Sequence, residues 1–278
     1  MSINLQYIKQ LFSVYRRNFL YLIKKTILNF YFQLTPMEDL INNMNSVLEQ
    51  NDSYMTYFIA SYLLEDRPER VAIFKNSKHL GLPHGYKHFN LRECSVNRAL
   101  REIVKAKEIF ETSGLESWCF RAPYAVNTFS NLGKNKFYQV LHEAGYSCSS
   151  SEFQSSLPWK PINHKIPEFV MGKPVDDQII DRMGIWDVKI ITKKFIQSIL
   201  NTKGSLIIFD MHPIRMGQKR FLPALDAICK FANKDSNSIL TDFRTAVNSY
   251  EEDQNENFIC ITGDIDTWTY FDYIKRLK

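Results

Sequence analysis

No apolar run in these 278 residues approaches the ~20 needed to span a bilayer, because Arg16-Arg17 and Lys24-Lys25 cut the candidate stretch on both sides. No small-residue cleavage site follows that stretch, which argues against a signal peptide. The five cysteines, Cys94, Cys119, Cys148, Cys229 and Cys260, are odd in number and show no close pairing, so a disulfide framework is not expected and reduced thiols in a cytoplasm are. Acids are missing from the start of the chain: Lys9, Arg16, Arg17, Lys24 and Lys25 all precede Glu38, interleaved with Leu, Tyr, Phe and Ile. That segment could lie on an anionic membrane surface or an acidic partner, while the plainer account is a docked N-terminal helix with a solvated basic face. The formal charge of +5 is too mild to demand nucleic acid. Repeats and low-complexity linkers are also lacking. The expectation is one domain of cytoplasmic location, with contact to the inner membrane face as an option.

What is present is a beat of helix and strand from about residue 35. Thr35-Pro36-Met37-Glu38 reads as N-cap, Pro at N1 and Glu at N3, and Leu40, Ile41, Met44, Val47 and Leu48 continue at helical spacing. Strands are expected at "YMTYFIA", "ESWCFRAP", "SLIIFDMH" and "NFICITGD". Helices are expected at 95–112, "NKFYQVLHEAG", "TKKFIQSILNTKG" and "FLPALDAICKFAN". Alternation of this kind implies a parallel sheet with helical crossovers, open or closed into a barrel. Residues 150–185, with Pro158, Pro161, Pro167 and Pro174, are expected to be mostly a functional loop.

In parallel sheets and barrels the chemistry collects at the carboxyl ends of strands. His84 and His88, four apart, could turn both imidazoles to one metal ion, or be two surface histidines. Arg121 ends its strand and could hold a carboxylate by two prongs, or form an ordinary ion pair. His212 follows "LIIFDM", with Asp210 expected on the other side of the strand. Asp176 and Asp177 could orient a histidine or serve as dipole partners of a helix. Asp264 and Asp266 supply a hard oxygen ligand and a base. Two histidines and one carboxylate leave open positions on a divalent ion, where water becomes acidic; a second carboxylate takes its proton and another His protonates the leaving group.

These residues resemble the polysaccharide deacetylases of carbohydrate esterase family 4, with the nodulation-type deacetylase domain. "HGYKHFNL" resembles the family's H-x-x-x-H metal motif, "FRAPY" its R-x-P-Y motif and "DMHP" its late histidine motif, and the likeness runs over roughly residues 35–247. The family opens with an acidic pair on its first strand. Here the matching N-terminal position reads "NFYFQLTPM", without Asp, whereas "ITGDIDT" near the C-terminus is similar to the D-x-D-T form of that motif. The resemblance therefore implies a circularly permuted, distorted α/β barrel of seven strands, occupying 35–278 behind an extension at 1–34. The other reading leaves "GDID" as a terminal strand with a capping acid.

Carried over by motif, the resemblance implies Asp266, His84 and His88 as ligands of one divalent metal (Zn, with Co, Ni or Mn as alternatives) and Asp264 as base. It implies Arg121 as the group orienting Asp264, and His212 as general acid. Asp177 rather than Asp176 would hold His212, and the Tyr124 backbone N–H would donate to the oxyanion. The family's usual Trp in its fourth motif is not evident. The implied activity is hydrolytic removal of an N-acyl group, acetyl first, from an aminosugar of cell-surface polysaccharide or lipopolysaccharide biosynthesis. The partner is then a glycan or lipid-linked sugar. An inactive carbohydrate-binding relative and a D-x-D glycosyltransferase are the alternatives.

Overall fold

The computed structural model describes residues 19–75, 77–125, 133–153, 166–250 and 255–272. Two helices come first, α1 (Phe19–Phe32) and α2 (Met37–Glu49). On α2 the buried Met37, Leu40, Ile41, Met44 and Leu48 recur three and four apart, so one face of the helix is apolar and enters the core. The helix begins one residue later than expected: Pro36 is its N-cap, and the Thr35 hydroxyl turns to Gln218 Oε1 (3.2 Å) instead of capping its own helix.

Seven strands follow among the described residues: β1 (Thr56–Ile59), β2 (Leu80–Pro83), β3 (Cys119–Phe120), β4 (Cys148–Ser149), β5 (Leu206–Asp210), β6 (Ser238–Thr241) and β7 (Asn257–Ile265). Between them lie α3 (Pro68–Lys75), α4 (Val96–Thr112), α5 (Lys134–Glu143), α6 (Val188–Leu200), the single turn α7 (Pro213–Met216), α8 (Leu222–Lys234) and α9 (Phe243–Ser249). All ladders are parallel, which requires helical crossovers and covers the sheet.

The longest strand, β7, is the centre of the larger sheet. One edge pairs with β5 from Phe258 to Thr262; the other pairs first with β6, from Asn257 to Cys260, and then with β1, from Thr262 to Ile265. From β1 the sheet continues to β2, and Arg121 N donates to Pro83 O (3.1 Å), joining β2 to the β3–β4 pair. Isolated bridges Ser149–Glu168, Phe153–Met171 and Met171–Ile208 lead on to β5. The result is a distorted ring of the α/β type in which single bridges span the gaps between ladders.

One expectation needs correction here: the strand over "ESWCFRAP" is only two residues long. The described part of 150–185 is mostly loop, as expected, with two short exceptions. Glu168 to Met171 fills a strand's place through its bridges, and Gln178–Arg182 forms a π-helical turn. Pro167 and Pro174 lack the N–H a continuous ladder needs, so pairing there stays local.

The main core packs α2, α6 and α8 onto β1, β5 and β7, and it also takes in Phe32 at the end of α1. Phe32 stacks on Trp186 with ring centroids 5.5 Å apart, a contact of the kind that stabilises by about 1 kcal/mol beyond the area it buries.

Candidate active site

The site sits at the carboxyl ends of β2, β3, β5 and β7. After β2 the chain turns sharply at His84-Gly85, where φ of Gly85 is +74° and a Cβ would lie 3.2 Å from the Pro123 ring. The positive φ favours glycine, and the close proline ring leaves little room for a larger side chain. The turn faces both imidazoles inward: His84 and His88 are buried, with ring centroids 5.0 Å apart. His84 Nδ1 lies 2.9 Å from the carbonyl oxygen of Arg121. A carbonyl only accepts, so Nδ1 carries the hydrogen and Nε2 presents a lone pair.

Opposite them stands the end of β7. Alternate residues of a strand share a face, so Thr262, Asp264 and Asp266 all point to the same side. Asp266 Oδ1 lies 3.0 Å from His88 Nε2 and 3.4 Å from His84 Nε2, is buried, and makes no hydrogen bond. An oxygen left unsatisfied between two imidazole nitrogens, one with its tautomer set by a backbone carbonyl, is the donor set of a divalent ion such as zinc. The residues therefore fit the metal that the resemblance implies. Burial would raise the Asp266 pKa, but His88 and His84 outweigh it and hold this carboxyl well below its usual range. For His84, burial opposes protonation, yet Asp264 and Asp266 prevail and raise it.

Arg121 is fully buried and ties the strands together. Its guanidinium lies over Phe58 at 3.8 Å and donates to Ser150 O (3.1 Å), Ser150 Oγ (3.0 Å), Thr262 Oγ1 (3.0 Å) and Asp264 Oδ1 (2.9 Å). A planar fork satisfied on each side fixes the Asp264 carboxylate in one orientation.

The far wall carries the third histidine. Asp176, not Asp177, holds His212: Oδ1 is 2.7 Å from Nδ1, and Oδ2 accepts from the His212 backbone N at 2.8 Å. The two acids open a helical turn, where neighbours point about 100° apart, so only one of them faces His212. Asp177 instead lines the pocket. Behind this pair, Arg215 and Asp181 form a buried two-pronged ion pair, and Arg215 N donates to His212 O (3.0 Å).

Asp210 also departs from expectation. Residues two apart on a strand face the same way, so Asp210 shares the pocket with His212; its carboxylate lies 3.5 Å from Arg121 Nη1 and 3.9 Å from His212 Nε2. Burial first, and then Asp264, push its pKa up to about 7 against the pull of His212 and Arg121. Burial disfavours the charged His212, but Asp210 and Asp176 more than offset it and raise its pKa well above the usual value.

Asp210, His212 and Asp264 also offer ligand atoms within 4.8 Å of one another. Arg121 already balances two of them, which disfavours a second dication there. Tyr124, at φ +64°, sets its ring 4.9 Å from that of His88 and lines the same cavity, of about 300 Å³, together with Arg92, Asp177 and Arg182. The structure thus brings all eight sequence-indicated residues to one pocket or its wall. Asp176 comes forward from second place, and Asp210, Ser150 and Thr262 are added.

The model of the polysaccharide deacetylase family matches residues 24–148. Among curated proteins none matches the chain. Among solved structures, one described as a polysaccharide deacetylase from Pseudomonas aeruginosa PAO1 is similar at TM-score 0.57 and 15% identity, over 71% of this chain and 67% of that one. Another so described, from Mycobacterium smegmatis, is similar at TM-score 0.57 and 15% identity, over 76% of each chain. The PuuE allantoinase is similar at TM-score 0.57 and 15% identity, over 71% and 67%. At these identities the structures speak for the shared fold.

Proposed function

From the premise that this chain is a relative of the polysaccharide deacetylases, we propose that it is a metal-dependent hydrolase that removes an N-acyl group from an aminosugar. Acetyl is the simplest such group, and an intermediate of cell-surface polysaccharide or lipopolysaccharide made inside the cell is the substrate class. One observation carries the reading: a carboxylate clamped by Arg121 and a histidine clamped by Asp176 face one cavity, with His84, His88 and Asp266 converging beside them.

His84, His88 and Asp266 would hold one divalent ion, which supplies Lewis acidity and makes water a nucleophile at neutral pH. Asp264, oriented by Arg121, takes the proton of the attacking water. His212 delivers a proton from Nε2 to the leaving nitrogen, while Asp176 fixes Nδ1–H and supports the cationic ring. The Tyr124 backbone N–H donates to the oxygen that gains charge. In this scheme β7 stands where the family's first strand would, which is how a permuted chain would complete its site; residues 1–34 are an extension to that domain.

Release of acetate from N-acetylated aminosugar oligomers, measured with and without added zinc, tests the reading. Release is expected with metal and from the wild type but not from Asp264→Asn. Full activity in that variant would overturn the assignment.

A further inference from the structure

We propose that α1 and the turn following β7 form a docking face for an anionic lipid surface. The proposal does not depend on the hydrolase reading, since it concerns an apolar face outside the pocket.

The spacing of α1 is apolar twice over. Leu28 and Phe32 pack on the body of the protein. The opposite side carries Ile27, Phe30 and Tyr31, continued by Leu34 just past the helix, at the three- and four-residue spacing of one helical face. These four are 61%, 51%, 55% and 68% exposed. Phe271, 70% exposed, extends the same patch, because its neighbour Tyr270 meets Phe30 edge-to-face with centroids 5.2 Å apart. Large side chains in such a contiguous exposed group mark an interaction surface.

Charge selects the occupant. The formal net charge of the whole chain is +5, and Lys9, Arg16, Arg17, Lys24 and Lys25 lie in a stretch without a single acid, so the remaining residues balance. In sequence, all of the excess falls within residues 9–25, a stretch that runs into this helix. A second copy docked face to face would set like charges against each other, whereas anionic headgroups would neutralise them while the apolar row enters the boundary of the acyl chains.

The face adjoins the pocket. Gln33 Nε2 donates to Thr267 Oγ1 at 2.8 Å, and Thr267 follows Asp266 directly. Asn29 and Met37 line a small cavity with His212, Asp264 and Asp266. A docked α1 would therefore hold the pocket beside the surface.

Co-sedimentation of the full chain with vesicles tests this, using phosphatidylcholine alone against phosphatidylcholine with about 30 mol% phosphatidylglycerol. The expected result is binding to the anionic vesicles only, weakened by salt. It should fall at least about tenfold in Phe30→Glu/Phe271→Glu and, separately, in Lys24→Glu/Lys25→Glu, with unchanged circular dichroism and unchanged acetate release from soluble substrate. Wild-type protein left in the supernatant, equal binding to neutral vesicles, or variants that bind like wild type would overturn the proposal. So would light scattering that shows a dimer dispersed by Phe30→Glu/Phe271→Glu, which would assign the face to a second copy. Because vesicle binding is read without catalysis, its failure leaves the hydrolase reading untouched.

Discussion

The two walls of the pocket give the same side chain two different settings. On one wall His84 sets Nδ1 against a backbone carbonyl; on the other His212 sets Nδ1 against the Asp176 carboxylate. A carbonyl fixes the hydrogen on Nδ1 and leaves Nε2 as the nitrogen turned to Asp264 and Asp266. A carboxylate stabilises the cation, and with Asp210 near Nε2 the ring is held ready to give a proton away. In the proposed mechanism the partner of Nδ1 thus separates a metal ligand from a general acid, although both are histidines at strand ends.

Variants that break this contrast are expected to rank in a definite order. His84→Ala should lose the metal, measured by elemental analysis, and cost about 10⁴-fold or more in kcat/KM. Asp264→Asn should keep the metal and still cost about 10³-fold, since the base alone is removed. Metal loss in this variant would erase the distinction between ligand and base.

Asp176→Asn should cost about 10²-fold and move the alkaline limb of the pH–rate profile to lower pH. The sign follows from charge: without the carboxylate the imidazolium is less stable, its pKa falls, and the acid is lost earlier as pH rises. Asp177→Asn is expected to change kcat/KM by no more than a few-fold and to leave the pH profile in place.

Asp210 tests the shared space between the walls. Its pKa stands at about 7 in the fold against an ordinary value near 3.8, so the native state binds the extra proton and stability declines as pH rises between those values. In metal-stripped protein, Asp210→Asn should flatten that decline by about 1–3 kcal/mol, as read by urea unfolding at pH 5 and pH 8. A stronger pH dependence in the variant would reverse the assigned cause.

Much of this was legible in the residues because strand ends and alternation are local properties. "FICITGDIDTW" read as a buried strand with two acids, and the missing Asp upstream pointed to its place inside the sheet. Asp210 followed from the same alternation, had it been applied to His212 two residues on. The choice of Asp176 over Asp177 depends on helical phase within a stretch broken by prolines, which residue order alone does not fix. β2 was hidden because Gly81 and Pro83 occupy half of its four residues, and β6 because it is largely solvent-touched and lacks a buried run. The closing bridges at Glu168 and Met171 arise from contacts far apart in the chain and leave no periodic trace.

The position of β7 sets a clock on the protein's birth. β1, β2, β5 and β6 leave the ribosome before the strand that joins three of them, and the stretch from Ile59 to Asn257 takes roughly 10–40 s to translate at roughly 5–20 residues per second. Through that interval their unpaired edges and apolar faces await a partner still being made, so the nascent chain is a natural client for chaperones, and Asp264 arrives only with the strand that ends the wait.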